Sequence, residues 1–150
     1  MTSLLPSLLY DFKSLGGCFG KSNGIADDVF RKMSALPLGD AVFHGYWYDP
    51  HAEVAGGLRT ALYTWKGGGR ASFLLVVGNT SRKDAATGLK LDWGKAGVAA
   101  SPLRDLLSGE VKSESEWAAT VLPSHYFLLL VPEGPASPET GNRVARRVER

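Results

Sequence analysis

Apolar residues return every fourth position between residues 25 and 35, where Ile25, Val29 and Met33 share one side of a helix and Phe30 lies beside them. Asn23 stands where a short polar side chain caps a first turn, and Asp27 and Asp28 precede Arg31 and Lys32 in the order a helix dipole favours. Pro37 forbids continuation. The pattern predicts one helix over 25–35, inside an otherwise irregular segment that runs to residue 52.

Beyond residue 52 the period changes from four to two. In LRTALYTW, Leu58, Thr60, Leu62 and Thr64 fall on one face, and Arg59, Ala61, Tyr63 and Trp65 on the other. Gly67-Gly68-Gly69 supplies a reversal into RASFLLVVG, which is apolar on both faces from Phe73 to Val77. This reads as a hairpin whose second strand is central in its sheet. Further strands are predicted at 88–93 (GLKLDW, with Leu89, Leu91 and Trp93 inward), 103–107, 117–122 (WAATVL) and 126–131 (YFLLLV). Turns separate them, and no stretch between them is long enough for a helical crossover, so the pairing is expected to be antiparallel. The expected fold is mainly β: an antiparallel β-sandwich of about six to eight strands over 53–132, preceded by an irregular segment with one short helix. Proline, glycine and charge leave residues 133–150 no apolar face, which predicts a flexible basic tail.

Composition narrows the function classes. Among 150 residues, 44% are apolar and 21% charged, as in an ordinary globular domain. Net charge is +2, and the closing RVARRVER carries four arginines, so the body shows no basic stripe for nucleic acid. No apolar run reaches the roughly 20 residues that span a bilayer, so no membrane partner is expected. The opening MTSLLPSLLYDF lacks a basic start and runs into Lys13, so it is not read as a signal peptide. The single Cys18 permits no intrachain disulfide.

Several motifs suggest chemistry and then fall short of it. Gly20-Lys21-Ser22 ends a glycine-rich loop, but a phosphate loop needs its first glycine at position 15, which is Leu15. His44, Asp49 and His51 flank an aromatic run. A separation of seven residues across Gly45 and Pro50 does not pre-place two imidazoles, and no cysteine supports them, so no metal and no cofactor is expected. There is no G-x-S-x-G elbow, and Asp27, Asp28, Asp92, Asp105 and Glu110 fall in a first helical turn, on outer strand faces or in turns. Asn79-Thr80-Ser81 matches a glycosylation sequon in an expected turn. Aromatic residues carry the most functional weight. Trp93 and Trp117 read as core, whereas Phe43, Tyr46, Trp47, Tyr48, Tyr63 and Trp65 are candidates for an interface or for stacking on sugar.

The stretch from Leu9 to Pro50 resembles the passage by which a (β/α)8-barrel glycoside-hydrolase-like protein leaves its barrel and enters a C-terminal sandwich. TALYTW, SFLLVVGNTS, LKLDW with GKAG, RDLLSGE and LPSHYFLLLV resemble successive strands and turns of that sandwich. The likeness covers roughly residues 8–132 and points to the α-galactosidase-like and β-N-acetylgalactosaminidase-like branch. It implies that catalytic carboxylates belong to an upstream barrel of about 250 residues, which this chain cannot contain. It also implies a secreted or periplasmic parent. By itself the chain is then expected to be no enzyme but an accessory or interaction domain, packing on a catalytic barrel domain or self-associating through residues 43–48. The alternative is a carbohydrate-binding module, in which Tyr46, Trp47 or Tyr63 stacks on sugar; a small hydrolase is a weaker third reading.

Overall fold

The computed structural model describes residues 24–67 and 70–134. The expectations for the Gly16–Ser22 loop, Cys18, the Asn23 cap and the tail from residue 135 lie outside the described residues.

The framework is a long antiparallel hairpin. Strand β3 (Leu58–Gly67) and strand β4 (Arg70–Asn79) pair without interruption from Leu58↔Asn79 to Gly67↔Arg70. Strand β1 (Val42–Gly45) adds to the outer edge of β3. Strand β10 (Phe127–Pro132) lies on the other side of β4, followed by β7 (Leu103–Asp105) and β8 (Val111–Lys112). The result is a six-stranded sheet, order β1-β3-β4-β10-β7-β8, with every pairing antiparallel. As expected for the second strand of the hairpin, β4 is interior to the sheet, and Phe73 to Val77 are fully buried.

Alternation assigns the two faces. Leu58, Leu62, Phe73, Leu75, Val77, Leu128 and Leu130 point to the inner face, and Ala61, Tyr63, Leu74, Val76, Phe127 and Leu129 to the outer one. Register aligns them in rows: Leu62 opposes Leu75, which opposes Leu130. Helix α1 (Gly24–Ser34) covers the outer face, burying Val29 completely, with Phe30, Met33, Leu36 and Leu38 packed beside it. The inner face is covered by two short ribbons. One pairs β2 (Ala52–Glu53) with β6 (Lys90–Leu91), the other β5 (Ala85–Ala86) with β9 (Val121–Leu122). Leu89, Leu91, Trp117 and Leu122 from this layer complete the inner core. The fold is thus mainly β and antiparallel, with the second layer of the sandwich built as ribbons rather than as one continuous sheet.

Two predicted strands are partly helix. Residues 88–93 hold only β6. Asp92 then accepts a hydrogen bond from the Lys95 backbone N–H and starts a single turn, α2 (Trp93–Ala96), which Gly97 closes in the left-handed region at φ 73°. Residues 117–122 begin inside α3 (Glu114–Ala119), launched by a reciprocal capping box between Ser113 and Glu116. Trp117 is still core, but it is seated from a helix, donating its indole N–H to the Leu103 carbonyl at 2.9 Å. Trp93 is half-buried against the inner core, its indole N–H bonded to Glu114.

The sequon expectation is also corrected. Asn79 is fully buried at the end of β4, and its amide donates to the carbonyls of Lys83 (2.8 Å) and Leu122 (2.9 Å). Both amide hydrogens are engaged, so the folded chain offers this side chain to no glycan. Asp105, which falls in the predicted 103–107 strand among acids read as outward-facing or in turns, is 3% exposed and accepts from the Ser108 hydroxyl and the backbone N–H groups of Ser108 and Leu129. Its burial is tolerated because these donors replace water.

Candidate functional site

The connection from β1 to β2 carries the exposed aromatics and the histidines together. After Gly45 the chain reverses, with the N–H groups of Tyr48 and Asp49 both reaching back to the Gly45 carbonyl (3.3 and 3.1 Å). A β-carbon placed on Gly45 would lie 2.7 Å from the Trp47 ring, so the indole rests directly on this glycine. The Tyr48 hydroxyl donates to the Phe43 carbonyl at 2.6 Å, tying the end of the turn to the strand before it. Trp47 and Tyr48 nevertheless keep 50% and 58% of their surface in solvent.

The six aromatic candidates divide accordingly. Phe43 is half-buried, with its ring 5.1 Å from Tyr63 and 5.9 Å from Trp47. Tyr46 lies 5.1 Å from Trp47 and beneath the Arg59 guanidinium. Tyr63 is 4% exposed in the outer core, which removes it from the sugar-stacking candidates. Trp65 packs half-buried against the same core. Phe43, Tyr46, Trp47 and Tyr48 therefore form one connected group, with Trp47 and Tyr48 as its open surface. Val42, exposed on the same edge strand, faces the other side, as His44 does.

Below the aromatics the strand alternation turns His44 the opposite way from Phe43, toward the inner layer. His51 precedes β2, and its carbonyl accepts from the Asp92 N–H, so it belongs to the ribbon layer. The turn folds one onto the other, with imidazole centroids 4.1 Å apart. This corrects the expectation that seven residues across Gly45 and Pro50 leave the rings unassociated: the reversal at 45–49 and the stacking of ribbon on sheet close the gap. Asp49 joins them. His44 Nδ1 donates to Asp49 Oδ2 at 2.8 Å, and His51 Nδ1 donates to the Asp49 main-chain carbonyl at 2.9 Å, with Asp49 Oδ1 at 3.8 Å. The far nitrogen of His44, Nε2, meets the Thr64 hydroxyl at 2.9 Å. The His44 hydrogen bond, helped by the nearby Lys95 charge and opposed by partial burial, holds the Asp49 carboxyl below its ordinary range. His44 and His51 are 16% and 6% exposed at their side chains, whereas Asp49 is 41% exposed. His51 also borders an open cleft of about 550 Å³ floored by Glu53, Lys90, Asp92, Trp93 and Lys95.

Several other carboxylates among the described residues serve the fold. Asp92 and Glu116 cap helices, Asp28 pairs with Arg31 and Lys32, Glu110 pairs with Lys112 and Glu133 with Arg104. Among the described residues no helix is long and apolar enough to cross a membrane. The chain was compared with protein-family models, with curated proteins and with solved structures, and it matches none of them.

Proposed function

We propose that this chain is a non-catalytic accessory or interaction domain of a glycoside-hydrolase-like protein, which docks through the 43–48 segment, with Trp47 and Tyr48 outermost, on a catalytic barrel or on a second copy of itself. The observation that carries the reading is the joint exposure of Trp47 and Tyr48, whose ring centroids lie 5.4 Å apart on the turn that follows an edge strand. Aromatic side chains held rigidly at a surface are the usual anchors of protein interfaces. Here the Tyr48 hydroxyl bond and the Gly45–Trp47 contact hold them. The structural employment of the carboxylates named above supports a domain that leaves chemistry to another part of its parent.

Sugar stacking draws less support. Neighbouring rings in the group stand 84° (Tyr46–Trp47) and 65° (Trp47–Tyr48) apart, so only one can lie flat on a sugar ring at a time. Sedimentation velocity over a range of concentrations, with binding of an apolar fluorescent dye, tests the docking reading. Self-association or dye binding that Trp47→Ser and Tyr48→Ser abolish is the expected result. A monomer whose dye binding ignores both substitutions removes the reading, and a tryptophan-fluorescence response to an oligosaccharide panel favours the carbohydrate alternative.

A further inference from the structure

We propose that His44, Asp49 and His51 form a binding site for one divalent transition-metal ion, with Zn²⁺ the best fit. One ligand atom from each residue lies within 4.8 Å of the other two. A tetrahedral Zn²⁺ bound at about 2.0–2.2 Å needs its ligands about 3.3 Å apart, so modest side-chain motion closes the site. Two imidazoles and one carboxylate are a donor set that first-row metals take with an open fourth position.

The surroundings suit a metal in two further ways. In the metal-free state the neutral His44 ring donates from Nδ1 to Asp49 and accepts at Nε2 from the Thr64 hydroxyl. Moving that proton to Nε2 frees Nδ1 as a ligand, and Thr64 Oγ1 accepts in place of donating. The required tautomer is therefore available without displacing the ring, and an outer hydrogen bond orients it. His51 donates from Nδ1 to the Asp49 carbonyl, which leaves Nε2 with its lone pair. Lys95 opposes a cation: its charge acts on Asp49 and its ammonium reaches the Pro50 carbonyl at 3.4 Å. Affinity should accordingly be moderate. The ion would tie the edge of the main sheet, through His44, to the ribbon layer, through His51. That clamp lies directly under Tyr46–Tyr48, and it stands whether or not those rings dock on a partner.

Titration calorimetry of the full chain with Zn²⁺ in a buffer that does not chelate, repeated with Co²⁺ for its visible absorption, tests the proposal. One ion per chain is expected, with a tetrahedral Co²⁺ spectrum. Asp49→Asn and His51→Gln should weaken binding about tenfold or more, while His125→Gln, in a distant turn, leaves it unchanged. If a variant fails to fold, the imidazole resonances of the unsubstituted chain decide: those of His44 and His51 must shift with Zn²⁺ and those of His125 must not. No binding, binding that survives both substitutions, or shifts confined to His125 overturns the site.

Discussion

Replacing Asn79 by alanine tests how the two layers are joined. The side chain is fully buried where β4 ends, and it bridges the Ser81–Lys83 turn to β9. Its oxygen accepts from the Ser81 N–H (3.0 Å) and hydroxyl (2.7 Å). Ser81 is half-exposed and can turn to water, so those two bonds are largely replaceable. The Lys83 carbonyl keeps the Ser81 hydroxyl at 2.9 Å, but the Leu122 carbonyl is buried and loses its side-chain donor. Two donors lost at about 1 kcal/mol each, and about 1 kcal/mol more for a buried carbonyl left without a partner, give a loss of about 3 kcal/mol. For a chain of this size that lowers Tm by about 6 to 12 °C. Asn79→Asp goes further, because a carboxylate faces both carbonyls. Burial there raises the introduced carboxyl's pKa in the fold, so its protonated form is tolerated below the unfolded-state pKa and the deficit grows as pH rises through the folded value. Urea unfolding followed by tryptophan fluorescence reads both variants, with the m-value unchanged. An alanine loss below about 1 kcal/mol, or an aspartate deficit indifferent to pH, refutes the idea that this amide clamps the layers.

Two further substitutions probe local devices. Ser113→Ala removes the cap of α3 and is expected to cost about 1 kcal/mol in the same unfolding assay. The backbone and hydroxyl hydrogen bonds of Ser113 hold the Glu116 carboxyl below its ordinary value, so this link stabilises the domain above the unfolded-state pKa and fades as pH falls through the lower folded value. In a carbon-detected NMR titration the Glu116 pKa should rise in Ser113→Ala; an unmoved value counts against the capping box. Gly45→Ala drives a methyl against the Trp47 ring, so near-UV circular dichroism should change and any self-association weaken, while the β3–β4 hairpin keeps its amide protection. An unchanged near-UV spectrum means that the indole does not rest on Gly45.

What the pattern of residues revealed and what it concealed divide along a physical line. The β3–β4 hairpin was legible because ten consecutive pairs impose one alternation on each strand, and Phe73 to Val77 can be apolar throughout only where both faces are covered. Helix α1 was legible for the same reason at a different period. The short elements were not. In GLKLDW and WAATVL the apolar spacing fits a strand, but a two-residue ribbon cannot enforce a period, and the caps decide instead. Both caps were present as Asp92 three residues before Lys95 and as Ser113-x-x-Glu116, a stronger helix signal than the alternation beside them. Asn79 and Asp105 were concealed because their burial depends on donors and acceptors far along the chain, Leu122 for one and Leu129 for the other.

The same distinction governs the candidate site. Exposure at Trp47 and Tyr48 follows from a short turn that a local reading can find, since Gly45 is the position where an indole can lie flat against the main chain. The meeting of His44 and His51 does not follow from their spacing at all. His44 reaches the inner layer because its neighbour Phe43 is drawn to Tyr63 on the outer face, which leaves the next residue no other direction. His51 is delivered by pairing of β2 with β6, residues 90–91, nearly forty positions further on. Neither cause lies between the two histidines. A spacing argument is therefore sound for ligands carried on one helix or one hairpin, and loses its force where each ligand is fixed by a different layer. Here the layers meet at Asp49, whose side chain and carbonyl take up one imidazole each. Whatever occupies this junction, proton or metal ion, must act on the sheet edge and the ribbon together, because no group within it belongs to only one of them by its contacts.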